Sequence, residues 1–129
     1  MSFQLTSEQE MIRLMAQDFA RKELEPFAGK WDREKTFPEG AIRKMGGLGL
    51  MGMMIPVEYG GAGAGAVSYS LALQEIAYAC ASTAVTMSVT NLSSDPLLKF
   101  GTEEQKCRFL TPLARGEMLG AFAVTEPEA

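Results

Sequence analysis

The feature that most constrains this chain is a long internal stretch with almost no charge. Residues 45–98 contain no lysine or arginine and only three acidic side chains. Charged residues cover the solvated faces of a protein, so a segment this poor in them cannot lie wholly on a surface. We expect its two helical parts, predicted at 67–81 and 82–94, to form a buried centre or to face another domain or subunit.

The charge balance and the residue types present exclude several classes of protein. The 129 residues suit one domain of ordinary size, and their formal net charge is −4. We do not expect nucleic-acid binding, because phosphate contacts need a surplus of lysine and arginine on one face. The sequence contains no histidine, which excludes a Ser-His-Asp triad, a His-ligated zinc site and a histidine base within this chain.

The cysteines and the N-terminus favour a reducing, cytoplasmic location. Cys80 and Cys107 lack the CxxC spacing of metal or redox motifs, so we expect two buried, reduced thiols and no metal site. The first residues, MSFQLTSEQE, lack the basic and apolar regions of a secretory signal. The longest uncharged run, residues 76–94, contains eight Ser, Thr or Asn side chains and fits a buried helix better than a transmembrane segment.

Signals for helices account for most of the chain. Two overlapping capping boxes, Thr6 with Gln9 and Ser7 with Glu10, predict the start of a first helix. A third box, Thr102 with Gln105, predicts the start of another. The first helix is predicted at about 7–24, and Pro26 is expected to kink or restart it. A Gly-rich loop follows at 46–65. The predicted fold class is therefore all-α.

The last residues depart from this helical pattern. Residues 118–125, MLGAFAVT, form an apolar run without a helical period and are predicted to be a β-strand. A single strand does not persist in water, because its backbone groups need neighbouring strands. A helical domain that ends in such a strand is expected to be a piece of a longer protein.

The residues alone identify no catalytic constellation. The run GGAGAGA at 60–66 lacks the third glycine of a dinucleotide-binding loop and the GK[ST] of a P-loop, so a flexible turn is the simpler interpretation. Glu75 stands isolated among apolar residues and is the best candidate for a buried carboxylate. These observations indicate a helical domain but no activity.

Three segments together resemble the acyl-CoA dehydrogenase family. Residues 121–129, AFAVTEPEA, are similar to the first half of a family signature that normally continues into Gly-Ser-Asp. Residues 46–63, with GGLGL and then IPVEYGGAG, resemble the family's glycine-rich stretch. Residues 76–83, IAYACAST, and 98–106, LKFGTEEQK, resemble a third region. The likeness covers the whole chain in the family's order, and it is greatest to the short-chain branch.

The resemblance implies an architecture and a chemistry. Such enzymes have an N-terminal helical bundle domain, a middle β-domain and a C-terminal four-helix domain, and they are usually homotetramers. This chain would then hold the helical domain at 1–117 and the first strand and turn of the β-domain at 118–129. FAD lies between the other two domains, and a glutamate removes the α-proton of the acyl-CoA while the β-hydride passes to the flavin. An electron-transfer flavoprotein accepts the electrons.

The resemblance also assigns site residues. The catalytic base has no counterpart in this chain and is expected beyond Ala129, so the chain alone should be inactive. Four residues match positions that line the flavin, namely Phe122, Ala123, Val124 and Thr125. Four more match positions of the acyl pocket and are expected to share one helix face. They are Ala84, Val85, Ser88 and Leu92.

Two other functions stay open at this point. An acyl-CoA oxidase or flavin-dependent hydroxylase of the same fold would differ in how its reduced flavin reacts with oxygen. A stand-alone helical binding or interaction module would fold as a monomer without a large exposed apolar surface, which ANS binding would test. The preferred acyl chain length does not follow from these residues.

Overall fold

The computed structural model describes residues 4–128, in which all the regular elements are helical. The predicted helical domain at 1–117 begins before the described residues, and the predicted strand and turn at 118–129 end one residue after them. The predicted all-α fold class is confirmed. In chain order the elements are α1 (Ser7–Phe19), a π-helix (Ala20–Leu24), α2 (Glu25–Glu34), α3 (Glu39–Gly47), 3-10 turns at Leu50–Gly52 and Val57–Tyr59, α4 (Gly65–Ala79), α5 (Ala81–Phe100) and α6 (Glu103–Ala114).

Two of the three predicted capping boxes are present, and Ser7 is the first residue of α1 rather than its cap. The Thr6 hydroxyl accepts a hydrogen bond from the backbone N–H of Gln9 at 3.2 Å, and Gln9 Oε1 accepts one from the Thr6 N–H at 2.9 Å. Thr102 and Gln105 form the same reciprocal pair at the start of α6. Each box satisfies backbone N–H groups that have no partner inside the helix, and this fixes where α1 and α6 begin.

The kink or restart expected at Pro26 takes the form of a π-helical segment followed by a new α-helix. The helix that begins at Ser7 continues through Ala20–Leu24 into α2. Within it the Glu25 N–H donates to the Ala20 carbonyl, five residues earlier rather than four. This widened turn lies just before Pro26, which has no N–H to donate in the first turn of α2. Proline therefore interrupts the hydrogen-bond pattern without ending the helix.

The two central helices, α4 and α5, have one buried and one exposed side. α1 packs against α4, α4 packs against α5, and α6 packs against α5. Ile76 on α4 and Met87 on α5 are fully buried, whereas Tyr78 and Phe100 on the same helices are 86 % and 85 % exposed. The charge-poor stretch therefore supplies part of the core and also a large apolar surface.

α5 is longer than the sequence indicates. The helix predicted at 82–94 continues through Pro96 to Phe100. Hydroxyl groups of α5 bond to carbonyls of the same helix, since Ser93 Oγ and Ser94 Oγ both donate to the Thr90 carbonyl at 3.0 and 2.9 Å. The hydroxyls of Ser93 and Ser94 are therefore satisfied within α5 itself, which permits the buried position of Ser94.

Close backbone contact joins the ends of α3 and α6. Gly46, in the last turn of α3, lies so near Arg115 that an added Cβ would overlap the Arg115 carbonyl. Gly116 follows with φ +68°, a left-handed conformation that favours glycine, and ends α6 against Gly46. The contact has no room for a side chain at Gly46.

The strand predicted at 118–125 does not form in the described residues. The chain after α6 has no regular structure there. A hydrogen bond from the Gly120 N–H to Thr90 Oγ1, at 3.3 Å, holds this segment against α5. A strand needs a neighbouring strand, and no segment of residues 4–128 offers one, so the assignment of residues 118–125 to the first strand of a β-domain stays a prediction.

Two further observations concern the thiols and the lengths of the helices. Both cysteines are free thiols and Cys80 is buried as expected, but the expected burial of Cys107 was wrong, because Cys107 lies on the exposed side of α6. None of the helices within residues 4–128 combines the length and apolarity needed to cross a bilayer.

Candidate functional site

An apolar groove runs beside α5, where the start of α4 and the loop after α3 approach it. Its volume is about 370 Å³, near the lower end of the range for small-molecule sites. The lining residues are Met54, Ala66, Tyr69, Ser88, Asn91, Leu92 and Asp95. The groove can receive a short apolar group and offers it few polar partners.

The structure places two of the four predicted acyl-pocket residues in this groove. Ser88 and Leu92 lie one turn apart on α5 and both line it. Ala84 instead belongs to the main core at 6 % exposure. Val85 is 61 % exposed and does not line the groove. The four residues therefore diverge around α5, and Ser88 and Leu92 are the pair that the fold brings together.

A buried amide connects α5 to the opposite wall of the groove. Asn91 Nδ2 donates to the carbonyls of Met87, at 3.0 Å, and Leu50, at 3.3 Å. Asn91 Oδ1 accepts from the backbone N–H of Met54 at 3.3 Å. All its hydrogen-bonding groups are engaged while the residue is 4 % exposed, so Asn91 ties the loop after α3 to the helix.

A charged pair marks one end of the groove. Asp95 lines it, and Asp95 Oδ2 lies 2.7 Å from Lys99 Nζ, one turn further along α5. Both side chains are more than half exposed. Because an apolar group gains nothing by displacing water from a carboxylate, the apolar part of the groove ends there.

The four residues predicted to line the flavin lie on the surface. Phe122 is 50 % exposed and Val124 is 64 % exposed, and Ala123 and Thr125 are exposed as well. Gly120 precedes them, pressed against α5 at Thr90. These residues are not among those that line the groove.

Glu75 is paired and does not form a separate site. Its carboxylate accepts from Arg13 Nη1 and from Gln17 Nε2, both at 3.1 Å. Arg13 also donates two hydrogen bonds to the carboxylate of Glu10. The bonds to Glu10, and to a smaller extent the bond to Glu75, hold the pKa of Arg13 above its usual range. The carboxylate that the sequence singled out therefore links α4 to α1.

A tyrosine connects the second 3-10 turn to α6. The Tyr59 hydroxyl donates to Glu103 Oε2 at 2.7 Å, while Lys106 Nζ pairs with Glu103 Oε1 at 3.0 Å. The bond to Glu103 raises the pKa of Tyr59 to about 12, and the same bond, with Lys106, lowers the pKa of Glu103. The phenol must keep its proton for this link to persist.

We expect Glu103→Gln to lower the pKa of Tyr59 from about 12 towards the ordinary value of 10.0. Because folding raises the pKa of Tyr59, the stabilisation from the Tyr59–Glu103 bond is fully present below the unfolded pKa of the phenol. It is lost as the pH rises through the folded pKa. The tyrosinate absorbance difference between wild type and Tyr59→Phe isolates this titration. Equal Tyr59 midpoints in the wild type and in Glu103→Gln would contradict the assigned cause.

Sequence reasoning missed five groove residues: Met54, Ala66, Tyr69, Asn91 and Asp95. The Met54–Asn91 bond joins positions 37 residues apart, so no local sequence pattern predicts it. One available signal was Asn91 itself, an amide inside a helix expected to be buried, because such an amide must find several partners.

The comparisons with known proteins agree on one family. Residues 6–117 match the family model described as "Acyl-CoA dehydrogenase, N-terminal domain". The chain is 50 % identical over 130 residues to a probable acyl-CoA dehydrogenase, YngJ, of Bacillus subtilis, a match that covers 100 % of this chain and 34 % of that protein. It matches butyryl-CoA dehydrogenase of Megasphaera elsdenii with a TM-score of 0.90 and 39 % identity, over 100 % of this chain and 35 % of that one.

A second solved structure was determined with a cofactor. An acyl-CoA dehydrogenase of Bacillus anthracis complexed with FAD matches with a TM-score of 0.88 and 35 % identity, over 97 % of this chain and 22 % of that one. This chain spans about a third of the length of the curated relatives it matches. The family match includes every helix from α1 to α6. The chain therefore belongs to the acyl-CoA dehydrogenase family.

Proposed function

We propose that this chain is part of an FAD-dependent acyl-CoA dehydrogenase and supplies one wall of its acyl pocket and the first residues of its flavin site. The reaction removes the α-proton and the β-hydride of an acyl-CoA and leaves the trans-2-enoyl-CoA. The observation that carries the proposal is the apolar groove that Ser88 and Leu92 share. Its small volume suits a short acyl chain, as does the similarity to a butyryl-CoA dehydrogenase.

The chain's own part in this reaction is to bind and orient the acyl group. Leu92 and Met54 offer apolar surface from which an acyl chain would displace water, and this burial stabilises the bound state. Ser88 places a hydroxyl in the same wall. The proposal assigns the base that takes the α-proton to residues outside this chain, so positioning is the contribution made here.

Residues 122–125 suit the edge of a flavin. Their backbone N–H and C=O groups form no hydrogen bonds with other described residues, so they are available to a ligand. Thr125 adds a hydroxyl that can donate or accept, and Phe122 adds a ring that can pack on a planar ring system. In the proposal these residues help to hold FAD, which supplies the hydride acceptor that no side chain of this chain provides.

The proposal extends to partners and location. An electron-transfer flavoprotein is the expected electron acceptor. The expected assembly is a homotetramer, and the expected location is the cytoplasm. The support from this chain is its exposed apolar side chains, notably Tyr78, Val57 and Phe100, which are each more than two-thirds accessible. Surfaces of this kind mark contacts with other domains or subunits.

The decisive experiment is a chimera in which this chain replaces the aligned third of butyryl-CoA dehydrogenase. We expect it to bind FAD and to show bleaching of the flavin when butyryl-CoA is added without oxygen. Its kcat/KM should lie within about tenfold of that of the parent enzyme, a loss of at most about 1.4 kcal/mol of transition-state stabilisation. The parent enzyme is the positive control, and the chain alone, which should be inactive, is the negative one.

Three outcomes would contradict the proposal. A folded chimera that binds FAD but is not bleached by any acyl-CoA would exclude the acyl-pocket role. Rapid reoxidation of the bleached flavin by oxygen in the chimera, but not in the parent, would favour an oxidase. Weak ANS binding by a monomeric chain, together with a chimera that fails to bind FAD, would favour an interaction module.

A further inference from the structure

We propose that Met54 sets the acyl chain length that this groove accepts and that Asn91 is the positioning residue that holds Met54 in place. The inference rests on the proposed function, because it names the residues that would give that site its specificity. Neither residue is among the four predicted pocket positions, of which Ser88 and Leu92 line the groove from α5.

Met54 forms the wall opposite those positions. It is 42 % exposed and lines the groove across from Ser88 and Leu92. The residues on either side of it, Met53 and Ile55, are buried at 2 % and 1 % exposure, so Met54 alone in this turn points its side chain into the groove. An unbranched thioether there fills space that a longer acyl chain would need.

The backbone around Met54 is held by two kinds of bond. Its neighbours bond to the glycine-rich loop, where the Met53 carbonyl accepts from Ala64 and the Ile55 carbonyl accepts from Gly63, both at 2.9 Å. The Met54 N–H instead donates to the Asn91 side chain. Asn91 therefore fixes the distance between Met54 and α5, which is the width of the groove.

A charged pair at one end of the groove makes its width decisive. The Asp95–Lys99 pair closes the apolar part at one end, so a longer chain cannot extend past it without meeting a hydrated carboxylate. The additional methylene groups of a longer acyl chain must then fit within the width of the groove, against Met54 and Tyr69. Removing the Met54 side chain would provide that space.

The test uses the chimera and compares kcat/KM for octanoyl-CoA with kcat/KM for butyryl-CoA. Met54→Ala should raise this ratio by about tenfold or more, since each methylene that a pocket accepts or rejects changes kcat/KM by about 10–200-fold. Asn91→Ala should raise it in the same direction but less. The ratio for the double variant should not exceed the ratio for Met54→Ala, because Asn91 acts through the Met54 side chain, which the double variant no longer has.

Two control variants separate specificity from stability. Met11→Ala makes the same substitution at a site 65 % exposed on α1, away from the groove, and should leave the ratio unchanged. Ser94→Ala removes a buried hydrogen-bonding group of α5 that binds Thr90 rather than Met54, and it should also leave the ratio unchanged. The inference would be overturned if the octanoyl-CoA to butyryl-CoA ratio of kcat/KM were no higher in Met54→Ala than in Met11→Ala. It would also be overturned if Ser94→Ala raised this ratio as much as Asn91→Ala does.

A binding measurement on the chain itself distinguishes failure of this inference from failure of the proposed function. With methyl-13C methionine, butyryl-CoA should shift the Met54 methyl signal, while free CoA should not, and the Met11 signal should stay in place. A shift of Met54 together with an inactive chimera would retain the groove as an acyl site and overturn the proposed function. An unmoved Met54 in the presence of an active chimera would overturn the inference alone.

Discussion

Gly46→Ala is expected to destabilise the chain by about 2–3 kcal/mol, the cost typical of forcing extra volume into a packed site. The new methyl group would overlap the backbone carbonyl of Arg115, and a backbone group cannot rotate away as a flexible side chain can. The ends of α3 and α6 would have to separate. Urea unfolding followed by circular dichroism measures the loss directly.

The adjacent glycine provides a matched control. Gly47 is exposed at the end of the same helix, and an added Cβ there would meet nothing within 4 Å. Gly47→Ala should therefore change the free energy of unfolding by less than about 1 kcal/mol, in the stabilising direction, because alanine loses less backbone entropy in a helix. Similar losses for the two variants would show that the Gly46 contact with Arg115 is not tight.

Met87→Ala should cost about 2–5 kcal/mol, the range for truncating large buried side chains to alanine. Met87 is fully buried on α5 and belongs to the same core cluster as Ile76 on α4. Its removal leaves a cavity between the two central helices, which can close little because α1 and α6 pack on either side of them. Thermal and urea unfolding of the variant would measure the loss.

The control for Met87 is the same substitution at an exposed position. Met11→Ala, at 65 % exposure, should change the free energy of unfolding by less than about 0.5 kcal/mol. A small loss for Met87→Ala, equal to that of Met11→Ala, would mean that α4 and α5 do not form the centre of the folded chain.

The parts of the fold that depend on local chemistry could be predicted from the sequence. The capping residues Thr6 and Thr102 begin α1 and α6 because their hydroxyls reach N–H groups three residues away. The charge-poor stretch was expected to give a buried centre or a surface for other domains, and α4 and α5 have a buried face and an exposed apolar one. These features need no knowledge of distant contacts.

The remaining features depend on contacts between distant residues. Residues 118–125 have the composition of a strand, yet composition cannot provide the neighbouring strand that would pair with them. The groove is similar, because Met54 and Asn91 meet only after the loop folds onto α5. The resemblance identified Ser88 and Leu92, whereas the turn of α5 that directs Ala84 into the core became visible in the structure.

The π-helical segment has a consequence for how this part of the chain could change over time. A π turn holds one more residue than the α turn it replaces, and each residue rotates a helix by about 100°. The π turn at Ala20–Leu24 therefore accommodates one extra residue while the residues of α2 keep the side that they face. Losing one residue there would return the turn to the α pattern and leave Trp31 packed on the core and stacked with Phe27 at 5.8 Å. The same deletion in a regular α turn would rotate everything after it by about 100°, so this segment is a place where the chain can change length without exchanging the inward and outward residues of α2.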